Sequence, residues 1–461
     1  MTPGVLAYVQ TAAEVPAVSS GDTAWVLLSS ALVMLMIPGL ALFYGGLVRG
    51  KATLNTMMMS VSALAIVSVQ WVLIGYSLAF APGTPTLGSL RWSGLSGVGL
   101  VPEPLYAATI PHLAFVAFQV MFAGITVALI SGAVVERMRF RAYLVFVLLW
   151  TTLVYDPLAH WVWGDGGWLR TLGALDFAGG TVVHVSAGTA ALVAAIVLGT
   201  RRDYGRTPYV PHNVPFTLLG AGLLWFGWFG FNAGSALAAN GVAANAFVTT
   251  ETAAATSLVA WMLFDLVRSG RATAVGAATG AVVGLVAITP AAGFVTPAAA
   301  LVIGAAGAAC SYVAIQVRSL TRVDDALDVF ACHGVAGIVG ALLTGVFATK
   351  AVNPAGGDGL LAGNAHQVAV QAIAVGVTIL LSLAASTVIF GAIRVVMPLR
   401  VTIAEEIRGT DLSEHGEEAY YGEDINALAG RAIALSESVL IPASDVGRRG
   451  ASGPRPVLDR R

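Results

Sequence analysis

Apolar residues run in long unbroken stretches along this chain, parted by short clusters of Arg, Asp, Gly and Pro rather than alternating with polar positions. A helix needs about 20 such residues to cross ~30 Å of hydrocarbon. Runs of that kind fall at 24–48, 52–80, 107–134, 142–161, 176–199, 214–236, 246–267, 272–290, 297–317, 329–349 and 367–393. The pattern predicts an all-α polytopic membrane protein with eleven transmembrane helices. Segments 81–106 and 351–366, rich in Gly and Pro, are expected as irregular loops. Residues 1–394 read as the membrane domain and 395–461 as a polar tail, with a helix-compatible stretch at 424–440 and a flexible ending over about the last forty residues.

Composition agrees: 57% of the 461 residues are apolar and 11% are charged, against roughly 25% charged in a soluble domain. The formal net charge of -1 gives no reason to expect a nucleic-acid partner. Where the charges fall says more. With the N-terminus outside, fourteen Lys and Arg residues flank the cytoplasmic ends of the spans and three (Arg91, Arg170 and Lys350) lie outside. That bias predicts an N-out, C-in, multi-pass protein of the plasma (inner) membrane. No basic residue precedes the first apolar stretch, so a cleaved signal peptide is not expected. Cys310 and Cys332 both lie in apolar runs and suggest no disulfide framework.

Two segments share a spacing. Asp176-Phe-Ala-Gly-Gly-Thr-Val-Val-His184-Val-Ser-Ala187-Gly188 opens the fifth span, and Asp325-Ala-Leu-Asp-Val-Phe-Ala-Cys-His333-Gly-Val-Ala336-Gly337 opens the tenth. An offset of five spans reverses direction through the membrane, which predicts an inverted five-plus-five repeat plus one helix. Eight helical residues rise ~12 Å, so each histidine is expected near the bilayer centre, reached from opposite sides. A single histidine there reads best as a satisfied core residue under a capping aspartate. Two at matched depth read instead as a transport or proton path.

The stretch Trp161-Val-Trp163-Gly, followed by Gly173-Ala-Leu-Asp176 and the run to His184, resembles the ammonium transporter (Amt/MEP/Rh) family, in particular its bacterial Amt branch. Pro38-Gly-Leu-Ala-Leu-Phe-Tyr-Gly-Gly46, Gly227-Trp-Phe-Gly-Phe-Asn-Ala-Gly-Ser235, Val323-Asp-Asp-Ala-Leu-Asp328 leading to His333, and His415-Gly-Glu-Glu-Ala-Tyr420 agree with it. The resemblance implies a homotrimer with one pore per subunit and ammonium or methylammonium as substrate, with no cofactor, no metal and no enzymatic activity. It implies an external ammonium site at Trp163, Ser235 and Phe122, the last within Phe118-Gln119-Val-Met-Phe122, with Asp176 in support. It further implies a gate of Phe122 over Phe231, a pore lined by His184 and His333, and Trp228 beside the pore's lower half. Aromatic faces attract a partly dehydrated cation and a hydroxyl accepts one N–H bond. A helix-start carboxylate finds backbone donors first, so Asp176 is expected to act through its field and by capping. For the tail around 400–420 the resemblance implies docking under the subunits and a P-II nitrogen-regulatory protein as partner.

Three acidic positions stand apart. Glu251 lies inside the seventh span and is expected to face the bundle or a wet vestibule. Asp156 is expected in a hydrogen-bond network with Tyr155 or His160. Glu136 and Asp265, near cytoplasmic ends with arginines close by, read as anchors. Rival readings are an Rh-like neutral gas channel, an ammonium sensor signalling through its tail and, remotely, an intramembrane metalloenzyme.

Overall fold

A computed structural model of the chain describes residues 17–420. The expected features at 424–440 and over the last forty residues lie outside the described residues. The helices of the body are α1 (Ser20–Leu47), α2 (Gly50–Phe80), α3 (His112–Ala133), α4 (Phe140–Leu172, interrupted at 164–167), α5 (Gly180–Leu198), α6 (Val214–Gly234), α7 (Gly241–Ser269), α8 (Ala274–Ile288), α9 (Pro297–Ser319), α10 (Phe330–Phe347) and α11 (His366–Val396). Among the described residues ten of these are long and apolar enough to cross a membrane. The predicted eighth run, 272–290, forms the shorter α8, whose 15 residues span about 22 Å at 1.5 Å per residue.

Polar side chains set the starts of several helices. Ser19 Oγ accepts from the Asp22 N–H at 3.2 Å, Asn213 from Phe216, Asn240 from Ala243, Thr273 from Gly276 and Thr296 from Ala299. Each satisfies a backbone donor that has no partner within the helix. Contacts between helices rely on missing side chains. A Cβ on Gly220 of α6 would sit 2.3 Å from the Phe43 nitrogen of α1, so those helices touch backbone to backbone. In lipid no hydrophobic drive holds helices together, and such close packing takes its place.

Four π-helical turns widen the spans, at Trp71–Gly75, Thr151–Tyr155, Gly180–Val185 and Phe330–Val335. Asp156 follows directly on the second, and its partner differs from the expected ones: Gln70 Nε2 donates to Asp156 Oδ2 at 2.6 Å. His160 instead faces the carbonyls of Ala79 and Thr84, and the Tyr155 hydroxyl has no partner among the described residues. An extra residue in the turn moves side chains off the 3.6-residue register from which neighbours are inferred.

The face where α2 ends and α3 begins is called here the loop side. It carries a short antiparallel hairpin, β1 (Gly83–Thr84) with β2 (Leu87–Gly88), in an otherwise irregular segment. On the opposite, tail side lie α12 (Ile403–Arg408) and α13 (Thr410–His415). Asp411 accepts from the Leu54 and Asn55 N–H groups at 3.0 and 2.8 Å, capping the start of α2 from a distant segment. Lys51 Nζ donates to the Ile407 carbonyl at 2.6 Å, and Arg139 pairs with Glu405 and Glu414.

Beside this dock, Arg201 grips Asp324 through Nε and Nη2, both at 2.9 Å, lies over the Tyr209 ring, and reaches Glu136, which also binds Arg49 at 2.6 Å. Glu136 therefore is an arginine-paired anchor. Asp265 anchors through hydroxyls instead: it accepts from the Thr273 hydroxyl at 2.7 Å and from Tyr312, because the turn after α7 brings Thr273 back over it.

Burial alone would raise the Glu136 and Asp324 carboxyls, but the neighbouring arginines outweigh it and hold both below the usual range. Carboxyls depressed in the folded state add stability that is complete above their unfolded values near 4 and is lost as pH falls through the folded ones. The melting temperature of the detergent-solubilised protein should therefore be flat from about pH 7 to about pH 5 and drop below about pH 4. Replacing Arg201 with Met should lower it even at neutral pH, and an unchanged value would count against this network.

Candidate functional site

Asp176 builds one end of the site. Its Oδ1 accepts from the Gly179 and Gly180 N–H groups at 2.7 and 2.6 Å, and its Oδ2 from Thr181 and Val182 at 2.7 and 3.2 Å, with the Thr181 hydroxyl as a further donor. These are the donors left free at the start of α5. Gly179, at φ 109°, makes the turn that folds them around the carboxylate. The Asp176 backbone carbonyl accepts Trp163 Nε1 at 2.9 Å. One residue thus starts the histidine helix and fixes the indole, leaving Trp163 only its ring face to offer.

Phe115, Gln119 and Phe122 form one stripe of α3, and with Trp163, Asp176 and Ser235 they line a loop-side cavity of ≈ 670 Å³. The Ser235 hydroxyl donates to the Phe231 carbonyl at 2.8 Å, so its oxygen faces outward as an acceptor. Below, Phe122 stacks on Phe231 with ring centroids 4.2 Å apart and planes 24° apart. Trp163 stands edge-on to Phe122 at 6.2 Å.

Beyond Phe231 lies a chamber of only ≈ 10 Å³, lined by His184, His333, Trp228 and apolar side chains from α1, α3, α6 and α8. That is space for about one small molecule. His184 Nδ1 is 3.3 Å from His333 Nδ1, so one ring donates and the other accepts. His184 Nε2 has no partner among the described residues. Both histidines sit in the π-helical turns that open α5 and α10. These turns meet because a Cβ on Gly188 would lie 2.3 Å from the Gly334 nitrogen; nothing larger than hydrogen fits there. His333 and Phe43 also line a tail-side cavity of ≈ 430 Å³. Two wide cavities are therefore separated by a phenyl pair and a histidine pair.

A family model described as Ammonium Transporter Family matches residues 24–420. This chain belongs to the ammonium transporter family. It is 52% identical to the ammonium transporter of Bacillus subtilis, over 87% of this chain and 98% of that one. To the ammonium transporter of Aquifex aeolicus it is 50% identical, over 87% and 93%. Among solved structures it matches Candida albicans Mep2 with TM-score 0.80 and 38% identity, over 88% of this chain and 92% of that one. It also matches a structure described as Sensor Amt Protein with TM-score 0.80 and 30% identity, over 86% and 98%.

All eight residues expected from the family likeness, Phe122, Trp163, Asp176, His184, Trp228, Phe231, Ser235 and His333, lie along this one path. Trp228 lines the chamber beyond the phenyl pair: it stacks on His184 at 5.4 Å, held by Nε1 donating to Thr289 Oγ1 at 2.9 Å. Thr289 escaped sequence reasoning, although the break it makes before Pro290 was a signal. Gly188 and Gly334 escaped it too, since a glycine's contact is invisible until the helices cross. Among the described residues no three His, Cys, Asp or Glu side chains gather as a metal site would need.

Replacing Gly188 with Val should drive α5 and α10 apart. Overpacking costs about 1–3 kcal/mol or more, so a melting temperature lower by several degrees is expected, and an unchanged one would contradict the contact. Replacing Asp176 with Ala leaves its backbone donors buried and unmet at about 1–3 kcal/mol each, and should destabilise more than replacement with Asn, which keeps one acceptor. Thermal melts of the two variants side by side check this ordering.

Proposed function

We propose that this ammonium transporter captures ammonium outside at Trp163, Ser235 and Phe122, strips a proton at or below the Phe122–Phe231 gate, and passes ammonia along His184 and His333 to the cytoplasm. The observation that carries the reading is the 3.3 Å histidine pair set behind a stacked phenyl gate. Bare ammonium pays heavily to enter an apolar constriction, whereas neutral ammonia does not. Imidazoles that already share one proton offer ammonia a donor and an acceptor in turn. Asp176 contributes by its field and by fixing Trp163, since its oxygens are taken up by backbone donors.

The same reading takes α8 as an eleventh span, short but almost wholly buried by neighbouring helices. It takes α1–α5 and α6–α10 as inverted repeats, with the loop side outside and residues 395–461 in the cytoplasm. The paired π-helical turns support the repeat, each preceded by an aspartate that caps it: Asp325 Oδ2 accepts from Phe330 N at 2.7 Å. The plasma (inner) membrane is proposed together with that orientation. A homotrimer is supported by Glu251, which departs from expectation: it lies on the exposed outer face of α7, held by Trp225 Nε1 at 3.0 Å, about 15 Å into the helix. Lipid covers a carboxylate poorly at that depth, and a second copy covers it better. The docked α12–α13 supports a P-II protein acting at the tail-side mouth. The likeness to the structure described as Sensor Amt Protein supports a second reading, signalling through the tail with little flux.

Uptake by liposomes holding the purified protein, with current recorded, tests these readings together. Saturable ammonium uptake is expected, and its absence would favour the sensor. No ammonium-dependent current would sink a separate path for the proton. Replacing both His184 and His333 with Leu should change ammonium-over-potassium selectivity by about tenfold or more, as losing a polar path through an apolar tube implies. Unchanged selectivity would remove the histidines from the pore.

A further inference from the structure

Gln119 is the one amide in the aromatic stripe that α3 turns toward the loop-side cavity. Phe115 lies four residues before it and Phe122 three after, so all three share a face. The residue is 9% exposed, and its Oε1 has no hydrogen-bond partner among the described residues. No other side chain or backbone group there holds either end of the amide. Buried polar groups are nearly always bonded, and one left over beside a cavity has its partner in what the cavity holds. With neither end tied to protein, the amide turns end for end without breaking a bond and can present its oxygen to the cavity.

We propose that Gln119 contacts the substrate directly, its Oε1 accepting an N–H of the cation at the threshold of the Phe122–Phe231 gate. The inference rests on the loop-side cavity being the ammonium site. Ammonium carries four N–H donors in a tetrahedron. Aromatic faces at Trp163 and Phe122 satisfy donors only diffusely, and Ser235 supplies one acceptor oxygen, its own proton being committed to the Phe231 carbonyl. Gln119 supplies a second directional acceptor on the opposite element, α3 rather than α6. Such an acceptor ranks amines by their donors: methylammonium can turn its methyl group toward an apolar residue at 119, and ammonium cannot. Gln119 is therefore a specificity-determining residue as well as a contact.

The test compares wild type with Gln119→Leu, Gln119→Met and Gln119→Glu in liposomes. Initial uptake of ammonium and of methylammonium is measured against concentration, and stabilisation of the detergent-solubilised proteins by ammonium chloride is measured by thermal melt. Losing one hydrogen bond to a charged donor should raise the half-saturating ammonium concentration about tenfold in the Leu and Met variants, with the maximum rate changed little. The value for methylammonium should rise less, so the preference between the amines narrows. The Glu variant keeps an acceptor and should retain the wild-type preference. If Gln119 only packs, the Leu and Met variants shift melting temperature or maximum rate alone and leave both half-saturation and preference untouched, which overturns the inference. A wild type that ammonium stabilises but that carries none would defeat the transport reading alone; Gln119 then stands or falls on whether its variants lose the stabilisation. A wild type that neither binds nor carries ammonium defeats both.

Discussion

His184 and His333 reach each other because two helix backbones touch where Gly188 meets Gly334. The histidine pair depends on that approach. A methyl group at Gly188 would push α5 from α10, and the 3.3 Å separation of the imidazole nitrogens would open beyond hydrogen-bond distance. The π-helical turns matter for the same reason. Each adds a residue to its turn, which aims a histidine across the bundle instead of along it. Asp176 pins the start of one of these turns with five donors, so the ring at the far end of the turn is held by a carboxylate two turns away.

Charge is kept away from this centre and spent at the edges. The tail side holds the Arg49, Glu136, Arg201 and Asp324 cluster, and it ties α12 and α13 to the start of α2 through Asp411 and Lys51 and to the start of α4 through Arg139. Most of these ions are buried yet paired, the condition under which burial is tolerated. Glu251 is the exception, an exposed carboxylate within a span whose described partner is a single indole. It marks an outer face of the body that lipid alone serves badly.

Much of this was legible in the sequence because hydrophobic length and motif spacing are one-dimensional signals. The apolar runs located the helices to within a few residues at most ends, and the shared Asp-to-His spacing placed both imidazoles at one level. Partner choice was not legible. Asp156 turned to Gln70 across a widened turn, Asp265 to Thr273 around a loop, and Glu251 outward, because side-chain direction depends on helix register and rotation, which periodicity leaves open.

For the route proposed above, the dimensions of the cavities bear on why a phenyl pair and a histidine pair would act together. Both flanking cavities are wide enough for water, ≈ 670 and ≈ 430 Å³, while the chamber between them is ≈ 10 Å³. A cation in either wide cavity can keep part of its hydration, so most of the desolvation cost falls on the short stretch from Phe122 to His333. An apolar stretch alone would stop ions and also give ammonia nothing to bind. A charged or strongly polar lining would hold ammonia and admit potassium as well. On the proposed route two imidazoles, each able to donate at one nitrogen and accept at the other, would resolve that conflict: they would solvate a small hydrogen-bonding neutral molecule and offer a bare cation far fewer ligands than its hydration shell did. The phenyl pair then needs only to keep water from bridging the two cavities, and a stack with centroids 4.2 Å apart leaves no room for it.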